Sequence, residues 1–138
     1  GICFLTVDVT SRTLRYARFG NTPCVLIAGA TNPIQEVRYN DPGITMWEGF
    51  ASLAPEHRVV IYTNGLSRLI GEPDRNGTDR WLAKKLGGLQ WQPAGEFLES
   101  IIQLSRRGRM GKRKLTDDVT VMVCTVEGPA AKSMEQVA

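Results

Sequence analysis

The stretch VVIYTNGLSRL, residues 59–69, joins a buried strand to a polar ending. The apolar run from Val59 to Tyr62 is typical of a buried strand, and Thr63 followed by Asn64-Gly65 ends it. Because Asn and Gly tolerate positive φ, the pair predicts an ordinary turn. A polar side chain held at the end of a buried strand is also typical of the rim of an active site. The stretch alone leaves both interpretations open.

The composition is that of one soluble globular domain: 138 residues, 42% hydrophobic and 22% charged. The formal net charge of +3 is too small to indicate nucleic acid, and the tryptophans are not interleaved with the basic residues as stacking platforms would be. No apolar run could span a bilayer, and no basic segment precedes an apolar core at the start. We therefore expect a cytoplasmic protein that binds neither nucleic acid nor membrane.

Three cysteines, Cys3, Cys24 and Cys124, lie far apart in apolar, strand-like runs. This placement favours buried, reduced thiols over a disulfide or a nucleophile. No second Cys or His stands at ligand spacing, so a zinc site is not expected.

Short apolar runs predict strands at 2–10, 13–20, 23–30, 44–53 and 58–63, the first two as a hairpin. A bend is expected at Gly49. The segment between the third and fourth runs contains Asn32-Pro33 and Asp41-Pro42-Gly43, which predict a loop.

Two helices are expected before a last strand at 119–126. Asn76 or Thr78 would cap the first, DRWLAKKL (79–86), and the second would begin near Pro93 with an apolar stripe facing the core. Strands joined by tight turns, with helices on one face, indicate an α+β fold with antiparallel sheet. We expect one domain over 1–128 and a flexible tail over 129–138.

Polar residues stand at two strand ends: Asn64 after one strand, and Asp117-Asp118 before the last. If these strands were antiparallel neighbours, the polar groups would converge on one rim. Hard ions such as Mg²⁺ or Mn²⁺ prefer oxygen ligands, and two such ions about 4 Å apart activate water against a phosphoryl group. An Asp pair before a strand is also a common turn or Asx cap.

Three segments together resemble one protein family: RFGNTPCVLI (18–27), LAPEHRVVIYTNGLSRL (53–69) and LTDDVTVMVCTV (115–126). Their order and spacing are similar to those of the metal-dependent type 2C protein phosphatases, closest to the bacterial sporulation-protein-E and RsbU branch. That branch typically reads Tyr-Thr-Asp-Gly at the end of an apolar strand and Asp-Asp-x-Thr entering the last one.

The resemblance implies roles for individual residues. Asp117 matches a metal-ligating aspartate, Asp118 is its neighbour, and Asn64 stands where the family has another metal-ligating aspartate, followed by a conforming Gly65. The implied cofactors are two Mn²⁺ or Mg²⁺ ions. An amide gives a metal a neutral oxygen but no negative charge, so Asn64 predicts weakened metal binding.

The resemblance also implies an antiparallel β-sandwich with flanking helices and hydrolysis of phosphoserine or phosphothreonine on an anti-sigma-factor antagonist. The family's upstream aspartate motif, and the strands and helices around it, have no counterpart here, so this chain alone is expected to be inactive. The alternative is a pseudophosphatase that docks a regulatory partner. Uncovered sheet edges suggest a possible homodimer.

The basic segment 106–114 precedes the aspartate pair. A solvated loop is one interpretation. The other is contact with a phosphorylated substrate, since Arg clusters pair with phosphate. The residues concerned are Arg106, Arg107, Arg109, Lys112 and Arg113.

Overall fold

The computed structural model describes residues 1–20, 24–29, 34–89, 91–107 and 118–127. Within them the strands are β1 (Ile2–Asp8), β2 (Thr13–Phe19), β3 (Cys24–Ala28), β4 (Gln35–Asp41), β5 (Ile44–Ser52), β6 (Arg58–Tyr62) and β7 (Val121–Thr125). The helices are α1 (Asn64–Ile70), α2 (Arg75–Leu86) and α3 (Ala94–Arg106), all between β6 and β7.

The strands form two antiparallel sheets. A four-stranded sheet has the order β1-β2-β5-β4, and a three-stranded sheet has the order β3-β6-β7. The predicted hairpin is confirmed, since β1 and β2 pair from Ile2 opposite Phe19 to Asp8 opposite Thr13.

Two apolar cores hold three layers together. Between the sheets, Leu14 of the four-stranded sheet packs in one cluster with Val25 and Val59 of the three-stranded sheet. On the other face of the three-stranded sheet, Val60 and Tyr62 share a cluster with apolar residues of all three helices: Leu66, Ile70, Leu82, Leu86, Phe97 and Ile101. The α+β prediction, with a sandwich and flanking helices, is therefore confirmed.

The loop predicted between the third and fourth runs is wrong in part, because residues 35–41 form β4 and pair with β5 along their whole length. Its apolar residues Val37 and Tyr39 point outward and are exposed, so the strand lacks the buried alternation that reveals a strand in sequence. The bend predicted at Gly49 is also wrong, since β5 continues through it. A Cβ there would lie 2.1 Å from the Tyr16 ring, so the position needs glycine for space.

The helices differ from the prediction in number and start. A third helix, α1, follows β6 directly and ends at Gly71, whose φ of 80° is left-handed. Helix α2 begins at Arg75, and its cap is Asp74, whose side chain accepts from the Gly77 N–H at 2.8 Å. Thr78, expected as a cap, is buried in the helix and donates to Ser67 Oγ of α1.

All three cysteines are free thiols; Cys24 is buried as predicted, whereas Cys3 and Cys124 are only partly buried. Burial raises the pKa of each thiol, which favours the protonated form. Among the helices of the described segments, none has the length and apolar character to cross a membrane.

Candidate functional site

Strands β6 and β7 are antiparallel neighbours, with Tyr62 opposite Val121. The end of β6 therefore lies beside the start of β7. Two hydrogen bonds join them beyond the ladder: the Thr63 N–H donates to the Thr120 carbonyl at 3.1 Å, and the Thr120 N–H donates to Thr63 Oγ1 at 3.0 Å. We refer to residues 63–65 and 118–120 as the rim.

Gly65 shows how closely the two halves of the rim approach. It is buried, and a Cβ there would lie 2.0 Å from the Asp118 carbonyl oxygen. The backbone of Asp118 thus rests directly on the first turn of α1. The glycine is required here for space and not for a positive φ.

The Asn64-Gly65 pair is therefore no hairpin turn. Thr63 is the N-cap residue of α1, and Asn64 is the first residue of the helix, with an exposed side chain. Asp118 is exposed on the facing segment. Asp117, the residue matched to a metal-ligating aspartate, lies outside the described residues.

The basic segment is described only at its start. Arg106 is the last residue of α3 and Arg107 follows as its C-cap residue, both exposed. Arg109, Lys112 and Arg113 lie outside the described residues.

The described part of the rim does not fit a two-metal centre. It offers one carboxylate, from Asp118, and one side-chain amide, from Asn64. Across the described ranges no three His, Cys, Asp or Glu side chains come together as a metal site. Two divalent ions need more negative charge than this donor set carries.

A cavity of about 540 Å³ adjoins the rim at Asn64. Ser67 and Arg68 of α1 line one side, and the α1–α2 connection from Glu72 to Asn76 lines another. Arg18 and Trp47 of the four-stranded sheet also line it, with the Arg18 guanidinium 4.2 Å from the centre of the Trp47 ring.

Glu36 of β4 is the centre of a polar network beside this cavity. Its carboxylate accepts from the Tyr16 hydroxyl, from Arg18 Nη2 at 3.0 Å and from Arg75 Nη1 at 2.9 and 3.0 Å. Arg75 Nε also faces Asp79 Oδ2 at 3.4 Å, and Tyr62 donates to Asp79 Oδ1 at 2.5 Å. We call these six residues the Glu36 network.

Burial and charge set the pKa values of the two carboxyl groups in opposite directions. Burial alone would raise the pKa of Glu36, but hydrogen bonds from Arg75 and Tyr16 outweigh it and lower the pKa below the ordinary 4.5. The pKa of Asp79 is raised because the effect of burial outweighs the hydrogen bond from Tyr62 and the positive charge of Arg75, which both lower it.

This network was not predicted from the sequence. One signal was present: the alternation of β2 places Arg18 on the same face as the buried Leu14 and Tyr16. A charged residue on an apolar face needs a partner. Its partner Glu36 lies in the strand that was predicted as a loop.

The lowered pKa of Glu36 predicts an acid-dependent contribution to stability. A carboxyl group whose pKa is lower in the folded state stabilises the fold above its unfolded pKa, and this contribution is lost as the pH falls through the folded pKa. We expect the difference in unfolding free energy between wild type and Glu36→Gln to be largest near neutral pH and to decrease as the pH falls below about 4.5. Urea titrations from about pH 7 to about pH 3 measure it; a constant difference would contradict the prediction. Asp79, with its raised pKa, works in the opposite direction but is present in both proteins.

A family model identifies the family of this chain. The family model described as stage II sporulation protein E (SpoIIE) matches residues 2–127. The chain belongs to the SpoIIE family. No curated protein matches it significantly.

Solved structures of the SpoIIE phosphatase domain share this fold. The chain is similar to the phosphatase domain of the cell fate determinant SpoIIE from Bacillus subtilis, with a TM-score of 0.72 and 16% identity over 94% of this chain and 59% of that one. A structure of the same domain presoaked with Mn gives a TM-score of 0.69 and 18% identity, over 91% and 56%. The chain thus spans less than two thirds of the SpoIIE phosphatase domain.

Proposed function

We propose that this chain is part of a metal-dependent serine/threonine protein phosphatase, whose substrate is a phosphorylated anti-sigma-factor antagonist in a bacterial partner switch. Membership of the SpoIIE family supports the assignment as a phosphatase. One observation supports placing the site at the rim: Gly65 packs on the Asp118 backbone, so Asn64 lies next to the segment that enters β7.

The chemistry would be hydrolysis of a phosphate ester, in which a water oxygen attacks phosphorus and the seryl oxygen leaves. Asp117 and Asp118 are the candidate metal ligands, for Mn²⁺ or Mg²⁺. The exposed arginines at the end of α3, Arg106 and Arg107, are candidates for contact with the phosphorylated partner. Because the described donors fall short of a two-metal centre, we assign no catalytic step to this chain alone.

The alternative is a pseudophosphatase that binds a regulatory partner without turnover. Asn64 favours it, because an amide at the start of α1 provides no negative charge to hold a divalent ion. Retention of Asp117-Asp118 favours the enzyme. A homodimer and a cytoplasmic location stay predictions.

Calorimetric titration of Mn²⁺ tests the site. We expect weak binding by the wild-type chain, binding at least about tenfold tighter in Asn64→Asp, and loss of that binding in Asn64→Asp/Asp117→Ala, since affinity follows the charge of the ligand set. Equal affinity in wild type and Asn64→Asp would mean that position 64 is not a ligand position.

Release of phosphate from a phosphoserine peptide, measured on a phosphatase domain that includes this chain and the family's upstream aspartate motif, separates the two functions. The phosphatase predicts Mn²⁺-dependent release that rises in Asn64→Asp and disappears with Asp117→Ala. Retained binding of the peptide, with no release from any variant, would support the docking module instead.

A further inference from the structure

The Glu36 network connects parts of the fold that are distant in sequence. Tyr16, Arg18 and Glu36 belong to the four-stranded sheet, Arg75 and Asp79 to the first two turns of α2, and Tyr62 to the end of β6. Arg75 lies at the middle: it donates to Glu36, faces Asp79, and donates through Nη2 to the Val25 carbonyl of β3 at 3.2 Å. Helix α2 therefore ties the two sheets together on the side of the rim.

The network ends one residue before the rim. Tyr62 is 1% exposed, and its hydroxyl donates a hydrogen bond to Asp79 inside the protein. Its backbone leads directly into Thr63, which bonds to Thr120, and into Asn64. The hydrogen bond between Tyr62 and Asp79 thus connects α2 to the strand end that continues into the rim.

Stability alone is a weak reason for such a network. Buried ion pairs are often no more stabilising than apolar residues of the same volume, because their desolvation offsets their attraction. Here the charges also border the cavity at Asn64, since Arg18, Glu36 and Arg75 all line it. Charged groups that combine burial with a cavity are candidates for a role in a site.

We infer that Glu36, Arg75 and Asp79 are positioning residues: through Tyr62 they hold the rim, so that the geometry at Thr63 and Asn64 depends on strand β4 of the other sheet. The inference rests on the proposed function in taking Asn64 as part of the site. The connection itself is independent of any bound metal.

Amide hydrogen exchange in the 138-residue chain, followed by NMR without metal, tests the connection. The Thr63 and Thr120 amides report on the rim, and the amides of α3, which contains none of the network residues, report on the rest of the fold. We expect Glu36→Gln and Tyr62→Phe each to speed exchange at Thr63 about fivefold, the size of one lost hydrogen bond, with little change in α3.

The double variant distinguishes positioning from independent structural damage. Glu36 and Tyr62 are joined through Arg75 and Asp79. If the two replacements acted independently, their effects on the exchange rate would multiply. We expect Glu36→Gln/Tyr62→Phe to exchange at Thr63 no faster than the faster single variant. A product of the two factors, an unchanged Thr63 amide, or an equal increase across α3 would overturn the inference.

Glu48→Gln is the matched control. Glu48 lies in the same sheet, on its outer face, where its carboxylate accepts a long hydrogen bond of 3.4 Å from Tyr39. Its replacement should leave Thr63 exchange unchanged, and an effect as large as that of Glu36→Gln would also overturn the inference.

The same variants separate this inference from the proposed function. If the network variants loosen the rim while neither wild type nor Asn64→Asp binds Mn²⁺, the positioning stands and the metal site fails. If Asn64→Asp binds Mn²⁺ while Glu36→Gln leaves Thr63 exchange unchanged, the metal site stands and the positioning fails.

Discussion

Replacing Gly65 by alanine is expected to lower the unfolding free energy by about 3 kcal/mol, the upper part of the usual range for overpacking. The added Cβ would lie 2.0 Å from the Asp118 carbonyl oxygen and 2.8 Å from its carbonyl carbon. Because both contacts are with backbone, no side-chain rotation can relieve them. Helix α1 and the entry to β7 would have to separate, and with them the two halves of the rim. Urea denaturation followed by circular dichroism measures the loss.

Gly95→Ala is the control for this prediction. Gly95 lies in the first turn of α3, and a Cβ there would lie in open space, more than 4 Å from any heavy atom beyond the neighbouring residues and the backbone of its own helix. Alanine should stabilise α3 by about 0.5 kcal/mol, because it loses less backbone entropy in a helix than glycine does. If both variants had the same stability, the contact between Gly65 and Asp118 would be looser than described.

Replacing Glu36 by alanine is also expected to lower the unfolding free energy by about 3 kcal/mol, as for a broken buried ion pair. The change leaves the Arg18 guanidinium, whose side chain is 4% exposed, without its carboxylate, and Arg75 loses two hydrogen bonds. The Tyr16 hydroxyl loses its acceptor as well. Buried charges without partners are among the costliest changes in a fold.

The matched variant Glu48→Ala should change the unfolding free energy by less than about 0.5 kcal/mol, because Glu48 makes one long, exposed hydrogen bond. A small effect of Glu36→Ala, equal to that of Glu48→Ala, would mean that water replaces the carboxylate around Arg18 and Arg75. Glu36→Gln, which keeps the size and one oxygen acceptor, is the milder change that the exchange experiments use.

At the rim, the sequence predicted correctly where the buried strand ends but not the helix that follows it. The apolar run 59–62 and the polar residues after it predicted the end of a buried strand, and β6 ends there. The same residues did not reveal α1, because a seven-residue helix is marginal on its own and forms where Leu66 and Ile70 find a core.

The sequence by itself determined the elements whose patterns repeat locally: the β1–β2 hairpin, the apolar strand β6, the stripe of α3, and the motifs that resemble the type 2C phosphatases. Only the tertiary structure decided the rest. Strand β4 exists because β5 offers it an edge, Gly49 and Gly65 are required by atoms that lie 33 and 53 residues away in Tyr16 and Asp118, and Glu36 has two arginines as partners. The physical reason is that hydrophobic period and turn chemistry act over neighbouring residues, whereas space and charge pairing are set by whatever the fold brings into contact.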